Sequence, residues 1–372
     1  MINENQSLGI YVHIPFCKQK CYYCDFVSYC NKDDLIEKYV NAVKKEIELQ
    51  KIKSQITTIY IGGGTPSCID KNNLKKLLSI LDSMLEKNYK EFTIESNVED
   101  LDDSFLSLIS NSKINRLSIG VQTFNEKYIK FCNRKHSKQQ AVDNIKKASK
   151  YIKNLSVDMI FAFKDQSYKE LKEDINIVCS LPVKHISYYS LLIEPNTILH
   201  SKKVENVDDN IQARMYRQIY NSLKEKGFNR YEISNFSKNK KYQSFHNKIY
   251  WQNMHYDAVG LASSGYINNL RYTNNDNIIK YNDKQYFHID ETYLTKQDIM
   301  FEQIMLNLRL DEGLNIDKFN RKFKVDFLKM YEKAINQCKK YKLITIKNNT
   351  LKTTFKGSLL LHDVLQFFLD IN

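Results

Sequence analysis

Residues 11–26 read Tyr11-Val-His-Ile-Pro-Phe-Cys17-Lys-Gln-Lys-Cys21-Tyr-Tyr-Cys24-Asp-Phe26, and this segment holds three closely spaced cysteines. Thiolates bind iron–sulfur clusters and zinc, and one tight loop can bring three of them around a single centre. A structural zinc ion takes four ligands, for which His13 or a distant cysteine would have to complete the set. Three thiolates match a [4Fe-4S] cluster that keeps one iron open. We therefore predict an iron–sulfur cluster bound by Cys17, Cys21 and Cys24.

The cysteine loop follows the first of six short runs of β-branched or aromatic residues, and a longer helical stretch separates each run from the next. Apolar residues at intervals of three to four positions mark the helices. The alternation indicates βα units and a parallel sheet, and six units indicate a partial or full barrel. The predicted strands are Gly9 to Ile14, Thr57 to Ile61, Glu91 to Glu95, Arg116 to Gly120, Ser156 to Ile160 and His185 to Ser190, and the predicted helices include Asp33 to Gln50, Asn72 to Glu86, Lys138 to Tyr151 and Tyr168 to Cys179.

The regular alternation fades after Leu192. One helix is predicted at Asp208 to Lys226, and a stretch rich in Tyr, Asn and Phe then runs to Asp290 with weak secondary-structure signals. We expect a βα barrel over residues 1–200, an irregular extension over 201–290, and a small, mainly helical domain over 291–372, for which a winged-helix-like arrangement is one alternative. The elements predicted for this last domain are helices at Lys296 to Asn307, Asp317 to Lys324 and Asp326 to Lys340, a hairpin of Leu343 to Ile346 with Leu351 to Thr354, and a final helix.

The composition favours a globular protein of the cell interior. The start of the chain, Met1 to Ser7, is polar on the whole and lacks the basic and apolar regions of a signal peptide, and no run of about 18 apolar residues is present, so we predict a cytoplasmic location. The five cysteines outside the loop are scattered, which is typical of buried thiols rather than of a disulfide framework. The net charge of +13 comes from lysines spread over the whole chain, so we expect no nucleic-acid partner.

Polar residues stand at or near the carboxyl ends of the other predicted strands. Gly62-Gly63-Gly64-Thr65-Pro66-Ser67 follows the second strand, and Glu95, Gln122, Asp158 and Ser190 belong to the third to sixth. A βα barrel builds its active site from these ends, so we expect these side chains to surround one site. The glycine run alone would be an ordinary tight turn, but beside the cysteines it permits close backbone approach to a bound amino acid.

The cysteine spacing directly after a strand, within six βα units, resembles the radical S-adenosylmethionine (SAM) superfamily. In that family the reduced cluster passes an electron to the sulfonium of SAM and cleaves it to methionine and a 5'-deoxyadenosyl radical. The resemblance implies an α/β fold with a partial (β/α)6 barrel of the TIM type, and an electron donor of the flavodoxin or ferredoxin type is one candidate partner. Taken singly, Arg134 would be a surface ion pair and Asp158 a hydrogen-bonded buried carboxylate. The resemblance implies SAM contacts from Tyr11, Tyr23, Gly63, Gly64, Thr65, Glu95, Gln122, Arg134, Asp158 and Ser190.

Three further segments, 116–124, 133–137 and 188–194, resemble the branch that contains the oxygen-independent coproporphyrinogen III oxidases and the HemW heme chaperones. The oxidases carry another cysteine just beyond the three-cysteine motif, whereas Cys24 is followed here by Asp25 and Phe26, as in HemW. His246-Asn-Lys-Ile-Tyr250-Trp251 matches the H-N-x-x-Y-W motif that HemW proteins use for heme. Imidazole is a good axial ligand for heme iron, and Tyr250 and Trp251 could stack on the ring. A histidine without such a match is more often a structural hydrogen-bonding residue.

The chain also departs from that branch. The family reads Gly-Leu-Pro-Gly-Gln-Thr after the fifth strand, where this chain has Phe161-Ala-Phe-Lys-Asp-Gln166-Ser167. Val98 stands where a proline usually follows the Glu95 segment, and Asn133 stands where a glycine usually precedes Arg134. The loop beside the SAM site is therefore altered, which bears on SAM turnover more than on cluster binding.

The function implied by the resemblance is binding of heme and its delivery to an acceptor protein, with the cluster and SAM in a supporting role. Coproporphyrinogen III oxidation in porphyrin biosynthesis is the alternative and would make the chain an oxidoreductase. A third class, radical SAM enzymes that modify nucleic acids, has only the positive charge in its favour. The sequence does not name the heme acceptor, and it leaves peripheral contact with a membrane open.

Overall fold

The computed structural model of the chain describes residues 8–50 and 55–369. Residues 1–7, on which the predicted location partly rests, lie outside the described residues. No helix within the two described ranges is both long enough and apolar enough to cross a membrane.

Six parallel strands form a partial barrel, and the predicted fold class is confirmed. The strands pair in chain order, and helices cover their outer face, as is usual for parallel sheets. Every observed strand end lies within two residues of the predicted one. The strands are β1 (Leu8–Ile14), β2 (Ile56–Gly63), β3 (Glu91–Asn97), β4 (Arg116–Gln122), β5 (Leu155–Phe161) and β6 (His185–Ser190), and the helices are α1 (Ile36–Gln50), α2 (Lys71–Met84), α3 (Asp103–Ser110), α4 (Glu126–Phe131), α5 (Lys138–Tyr151) and α6 (Tyr168–Ser180).

The inside of the barrel is polar, while its apolar core lies between the strands and the outer helices. Ile59 and Ile61 of β2 are fully buried in this core, whereas Tyr60 between them lines the interior cavity. Ser118 and Gly120 of β4 line the same cavity at the spacing of two residues that a strand imposes. The barrel interior is therefore built to hold polar ligands rather than to be filled by aliphatic side chains.

Both edges of the barrel are extended by later parts of the chain. On one side β6 pairs with β8 (Asn235–Ser237), which pairs with β7 (Asn229–Glu232). On the other side β1 pairs with β9 (Tyr256–Val259), followed by β10 (Ser264–Ile267), β11 (Leu270–Asn274) and β12 (His288–Tyr293). The irregular extension expected over 201–290 is thus largely regular, and it shares the apolar core of the barrel. The helices of this part are α7 (Ile198–Ser201), α8 (Asp209–Glu225), α9 (Phe245–Trp251) and α10 (Ile278–Asn282).

Helix α9 closes the barrel at the amino ends of its strands. Ser244, the residue before this helix, donates from Oγ to the carboxylate of Glu91 at 3.0 Å, and the backbone N–H of Phe245 donates to the same carboxylate at 2.7 Å. Glu91 is the first residue of β3, so its charge meets the positive end of α9. The cavity inside the barrel consequently has a floor made by a single short helix.

A second apolar core organises residues 299–368. Asp311 accepts both arms of the Arg230 guanidinium at 2.6 and 3.2 Å, which ties this part of the chain to β7. The helix predicted at Asp326 to Lys340 is divided at Tyr331, and the other predicted elements are present. The elements are α11 (Lys296–Asn307), β13 (Leu314–Asn315), α12 (Ile316–Phe323), α13 (Phe327–Met330), α14 (Glu332–Lys340), β14 (Ile344–Lys347), β15 (Thr350–Thr353), α15 (Phe355–Leu359) and α16 (Leu361–Leu369).

Candidate functional site

The three cysteines of the loop after β1 line one cavity of about 540 Å³ at the carboxyl ends of the barrel strands. The loop is anchored by the backbone N–H of Cys17, which donates to the carbonyl of Tyr29 at 3.0 Å. Arg134 lies 3.5 Å from the sulfur of Cys21, and Lys20 lines the same cavity. These two cations offset the negative charge that three thiolates and a reduced cluster would bring, so the residues present fit the predicted [4Fe-4S] group.

Burial raises the pKa of the Cys24 thiol to about 11, although Lys20 and the backbone near Phe26 act in the opposite direction. Burial likewise raises the pKa of Cys17, against the hydrogen bond from Thr65. Within the described ranges no three His, Cys, Asp or Glu side chains are grouped closely enough to hold a single metal ion. The thiolates of a four-iron cluster bind different iron atoms, so their sulfur atoms need not converge on one point.

The glycine segment after β2 packs directly against the cysteine loop. Gly64 donates its N–H to the carbonyl of Ile14 at 2.8 Å, and a Cβ atom at Gly64 would lie 2.6 Å from the carbonyl oxygen of Phe16 and 3.0 Å from the sulfur of Cys17. Gly63 has a φ of +112°, which disfavours any other residue. These glycines are therefore required by the packing of the two loops as well as by approach to a ligand.

The structure brings nearly all the predicted SAM residues to one cavity. Tyr11 is the exception, because it is not among the lining residues and its hydroxyl is instead 3.0 Å from Nδ1 of His13. Ser190 is present in the lining but is hydrogen-bonded to Gln212. The predicted residues that line the cavity are Tyr23, Gly63, Gly64, Thr65, Glu95, Gln122, Arg134, Asp158 and Ser190.

Two buried carboxyl groups give the cavity its electrostatic character. Burial raises the pKa of Glu95 to about 7, in spite of the hydrogen bond that Tyr60 donates to it at 2.6 Å. Burial also raises the pKa of Asp158, against the hydrogen bonds from Ser187 and Ser118 and the charge of Arg116. Near neutral pH Glu95 can therefore either accept or donate a hydrogen bond.

The altered loop after β5 keeps a backbone that glycine would normally provide. When Gln166-Ser167 is matched to the family's Gln-Thr, Ala162 and Asp165 occupy the two glycine positions. Both are left-handed, with φ of +62° and +61°, and Asn133, the other residue that replaces a glycine, has φ of +59°. The side chain of Gln166 accepts the N–H of Ala162 at 2.9 Å and holds the turn. The loop has thus changed in sequence while keeping its left-handed turns.

The heme motif predicted at His246, Tyr250 and Trp251 forms α9, the floor of the barrel. His246 is fully buried, with Nδ1 at 2.8 Å from Oγ1 of Thr58 and Nε2 at 2.6 Å from the hydroxyl of Tyr250. Burial lowers the pKa of His246 to about 3, so the ring is neutral. Trp251 points the other way, towards the C-terminal domain, and the guanidinium of Arg309 lies 4.5 Å from its ring centre. In this conformation the three side chains do not surround one space.

Several cavity residues were not predicted from the sequence. Arg116 and Ser118 lie six and four residues before Gln122 on β4, so the alternation of a strand was the signal that would have found them. Ser187 and Tyr189 lie three and one residues before Ser190 on β6, and alternation counted from Ser190 does not point to them. Asn247, the second residue of the heme motif, also lines the cavity. No sequence signal distinguished Asn247 from its neighbours, because a seven-residue helix shows no clear periodicity.

Comparisons with known proteins agree with the site. The model of the radical SAM superfamily matches residues 11–178, and that of the HemN C-terminal domain matches residues 294–360. The chain is 34% identical to the heme chaperone HemW of Lactococcus lactis, over 97% of this chain and 98% of that protein. It is 30% identical to the heme chaperone HemW of Bacillus subtilis, over 96% and 98% of the two chains. The solved structure of coproporphyrinogen III oxidase HemN from Escherichia coli superposes with a TM-score of 0.85 at 17% identity, covering 98% of this chain and 91% of that one, and shows the shared fold.

Proposed function

The chain belongs to the HemW family of radical SAM proteins, and we propose that it binds heme and transfers it to an acceptor protein while carrying a [4Fe-4S] cluster with SAM on the open iron. The observation that carries this proposal is the likeness to heme chaperones over almost the full length of both chains. The sequence at Asp25 and Phe26, which lacks the further cysteine of the oxidases, supports the same choice.

Each part of the cofactor site has a residue suited to it. Cys17, Cys21 and Cys24 would bind the cluster, which supplies electron transfer to SAM when it is bound. The backbone of Gly63 and Gly64 leaves room for the methionine part of SAM. Glu95 would accept a hydrogen bond from the amino group of SAM, and Arg134 would offset the negative charge of the thiolates and the cluster.

Heme would meet two kinds of surface on this protein. Phe26 and Leu192, which line the opening of the cavity, are 63% and 54% exposed and offer apolar contacts to a porphyrin face. His246, Tyr250 and Trp251 remain the proposed heme motif. Iron binding at Nε2 of His246 requires that the hydroxyl of Tyr250 leaves it, which costs about 1–3 kcal/mol for a buried group. The proposal therefore includes an opening of α9 from the barrel.

Spectroscopic titration tests this function. Anaerobically purified protein should bind one heme per chain and should lose it to an apo-hemoprotein in stoichiometric amounts. A protein that binds no heme, or that binds it and never releases it to any apo-hemoprotein, contradicts the proposal.

The finer assignments remain proposals as well. The acceptor protein and an electron donor of the flavodoxin or ferredoxin type are inferred from the family, as is the possibility of peripheral membrane contact, and a cytoplasmic location stays a prediction of the sequence. The division at residues 200 and 290 is also proposed. The two apolar cores support a boundary near residue 290, while the shared core of the barrel and the segment 201–290 argues for treating them together.

A further inference from the structure

Arg116, the first residue of β4, is a buried cation on the wall of the barrel cavity. Only 2% of its surface is exposed, and it is one of the residues that line the cavity. Its Nη2 atom lies 3.4 Å from Nδ1 of His185, whereas Nε and Nη1 have no hydrogen-bond partner among the described residues. A buried guanidinium with two free N–H groups beside a cavity is costly unless a ligand occupies them.

The carboxylates near Arg116 do not take up these N–H groups. Glu91 is held by Ser244 and Phe245 at the start of α9, and Glu95 accepts the hydroxyl of Tyr60. Burial lowers the pKa of Arg116, but Glu91 and Tyr60 outweigh this and raise it, so the guanidinium stays charged. Since burial raises the pKa of Glu95 to about 7, this group repels an incoming anion less than a full charge would near neutral pH.

Asn247 lines the same cavity from its floor, on α9. It is held in place by its neighbours in α9, because Ser244 accepts its backbone N–H at 3.2 Å and His246 is fixed between Thr58 and Tyr250. A carboxamide and a guanidinium together offer several N–H donors to one acceptor group, and carboxylates are the common partner of such a set.

We propose that Arg116 and Asn247 form a binding site for a carboxylate group at the floor of the barrel cavity, below the cysteine loop. Arg116 and Gln122 are the two ends of β4, so the floor lies about 20 Å along the strand from the level of the cluster loop. The site thus takes a second ligand group, separate from the part of SAM that meets the cysteines.

Two sources can supply this carboxylate. One is a propionate of heme, a reading that rests on the proposed function. Its arm extends only about 4 Å from the ring, so the porphyrin edge would have to enter the cavity. The other source is a small carboxylic acid that enters the cavity independently of heme.

The test uses the full-length protein with its cluster and two sets of ligands. Heme is compared with its dimethyl ester by Soret titration, and propionate and succinate are compared with chloride at equal ionic strength by thermal unfolding. For a heme propionate, wild-type protein should bind the ester at least tenfold more weakly than heme, and Arg116→Gln should bind both alike. For a separate acid, propionate or succinate should raise the melting temperature of wild-type protein but not that of Arg116→Gln.

The control variant is Arg271→Gln, which removes an arginine that is paired with Glu302 outside the cavity. It should behave like wild type in both arms. If Arg116→Gln does not fold, Asn247→Leu takes its place and should lose the same discrimination. Equal binding of heme and ester, together with no stabilisation by either acid, overturns the carboxylate site. If wild-type protein binds neither porphyrin, the heme function fails, and the acid arm alone decides the carboxylate site.

Discussion

Nε2 of His246 and the hydroxyl of Tyr250 lie 2.6 Å apart, so the proposed iron ligand is already engaged inside the heme motif. If this nitrogen binds iron, Tyr250→Phe should tighten heme binding, because a competing hydrogen bond of about 1–3 kcal/mol is removed. His246→Ala should shift the Soret band and weaken binding by about tenfold or more. His200→Ala, on the short helix α7, serves as the control in the same titration. Unchanged heme affinity in folded His246→Ala would leave His246 a purely structural residue.

The cysteine loop should carry about four irons per chain after anaerobic reconstitution. Ala in place of Cys17, Cys21 or Cys24 should abolish the cluster absorption at about 400 nm, the region in which iron–sulfur proteins absorb. Iron and sulfide analysis measures the loss directly. The cysteine-to-alanine variants expected to keep the cluster are those at Cys30, Cys68, Cys132, Cys179 and Cys338. Stoichiometric zinc without iron in protein purified under strict anaerobiosis would rule out this assignment.

Coproporphyrinogen III should not be converted by protein with an intact, reduced cluster. The residues after Cys24 lack the cysteine of the oxidases, and the loop at Ala162 and Asp165 departs from their sequence. Product analysis by chromatography after anaerobic incubation measures this, with a known oxidase as the positive control. Formation of protoporphyrinogen IX over several turnovers would place the chain with the oxidases instead.

The affinity for SAM should rise with pH through the pKa of Glu95, which burial raises to about 7. The ionised carboxylate accepts a hydrogen bond from an ammonium group better than the neutral acid does. Binding of SAM to cluster-loaded protein should therefore strengthen between about pH 6 and pH 8. Glu95→Gln should bind more weakly and lose this dependence, as measured by calorimetry. If the pH dependence of SAM affinity persists in Glu95→Gln, it arises from the titration of another group.

The same pKa shift has a consequence for stability. The folded-state pKa of Glu95 lies above the ordinary value of 4.5, so the folded protein favours the protonated acid. This preference adds to the free energy of unfolding, and its contribution is complete at pH values below 4.5. It is lost as the pH rises from the ordinary value through about 7. Wild-type protein should thus lose more stability over this range than Glu95→Gln does in denaturant unfolding.

Ala162→Gly should stabilise the protein by about 1 kcal/mol, because Ala162 has a left-handed backbone that costs a residue with a Cβ atom about this much. Denaturant unfolding at constant pH measures the change. Ala148→Gly, a buried position in the last turn of α5, is the matched control and should destabilise by about 1 kcal/mol or more. Loss of stability in both variants would show that the turn after β5 does not hold Ala162 in a strained state.

The sequence predicted the barrel strands well because each is a continuous buried run, long enough to stand out against the helices. The strands between Tyr256 and Asn274 were missed because they are four or five residues long and lie in a stretch rich in Tyr, Asn and Phe, which shows no clear alternation of polar and apolar residues. The hairpin turn at Asn268 and Asn269, both with positive φ, was a readable signal that the prediction did not use.

The residues of the candidate site likewise fall into those that the sequence predicted and those that it did not. The cysteines and the glycines follow from local spacing and were found, whereas the burial of His246 and the free N–H groups of Arg116 depend on which chain segment lies under the barrel. A motif shows which residues occur together in sequence, and only the fold shows that Trp251 and His246 face opposite directions.

Helix α9 is at once the floor of the cavity and a wall of the domain junction. Besides the contacts of His246 and Asn247 on the barrel side, the carbonyl of Trp251 accepts a hydrogen bond from Asn307 at 2.7 Å, and Lys248 pairs with Glu312 at 2.7 Å. A movement of α9 away from the barrel therefore also changes these contacts with the C-terminal domain. If ligand binding in the cavity displaces α9, it also favours a displacement of the C-terminal domain, and by thermodynamic reciprocity a displacement of that domain changes the affinity of the cavity for its ligand to the same extent. Helix α9 thus couples the cavity to the C-terminal domain.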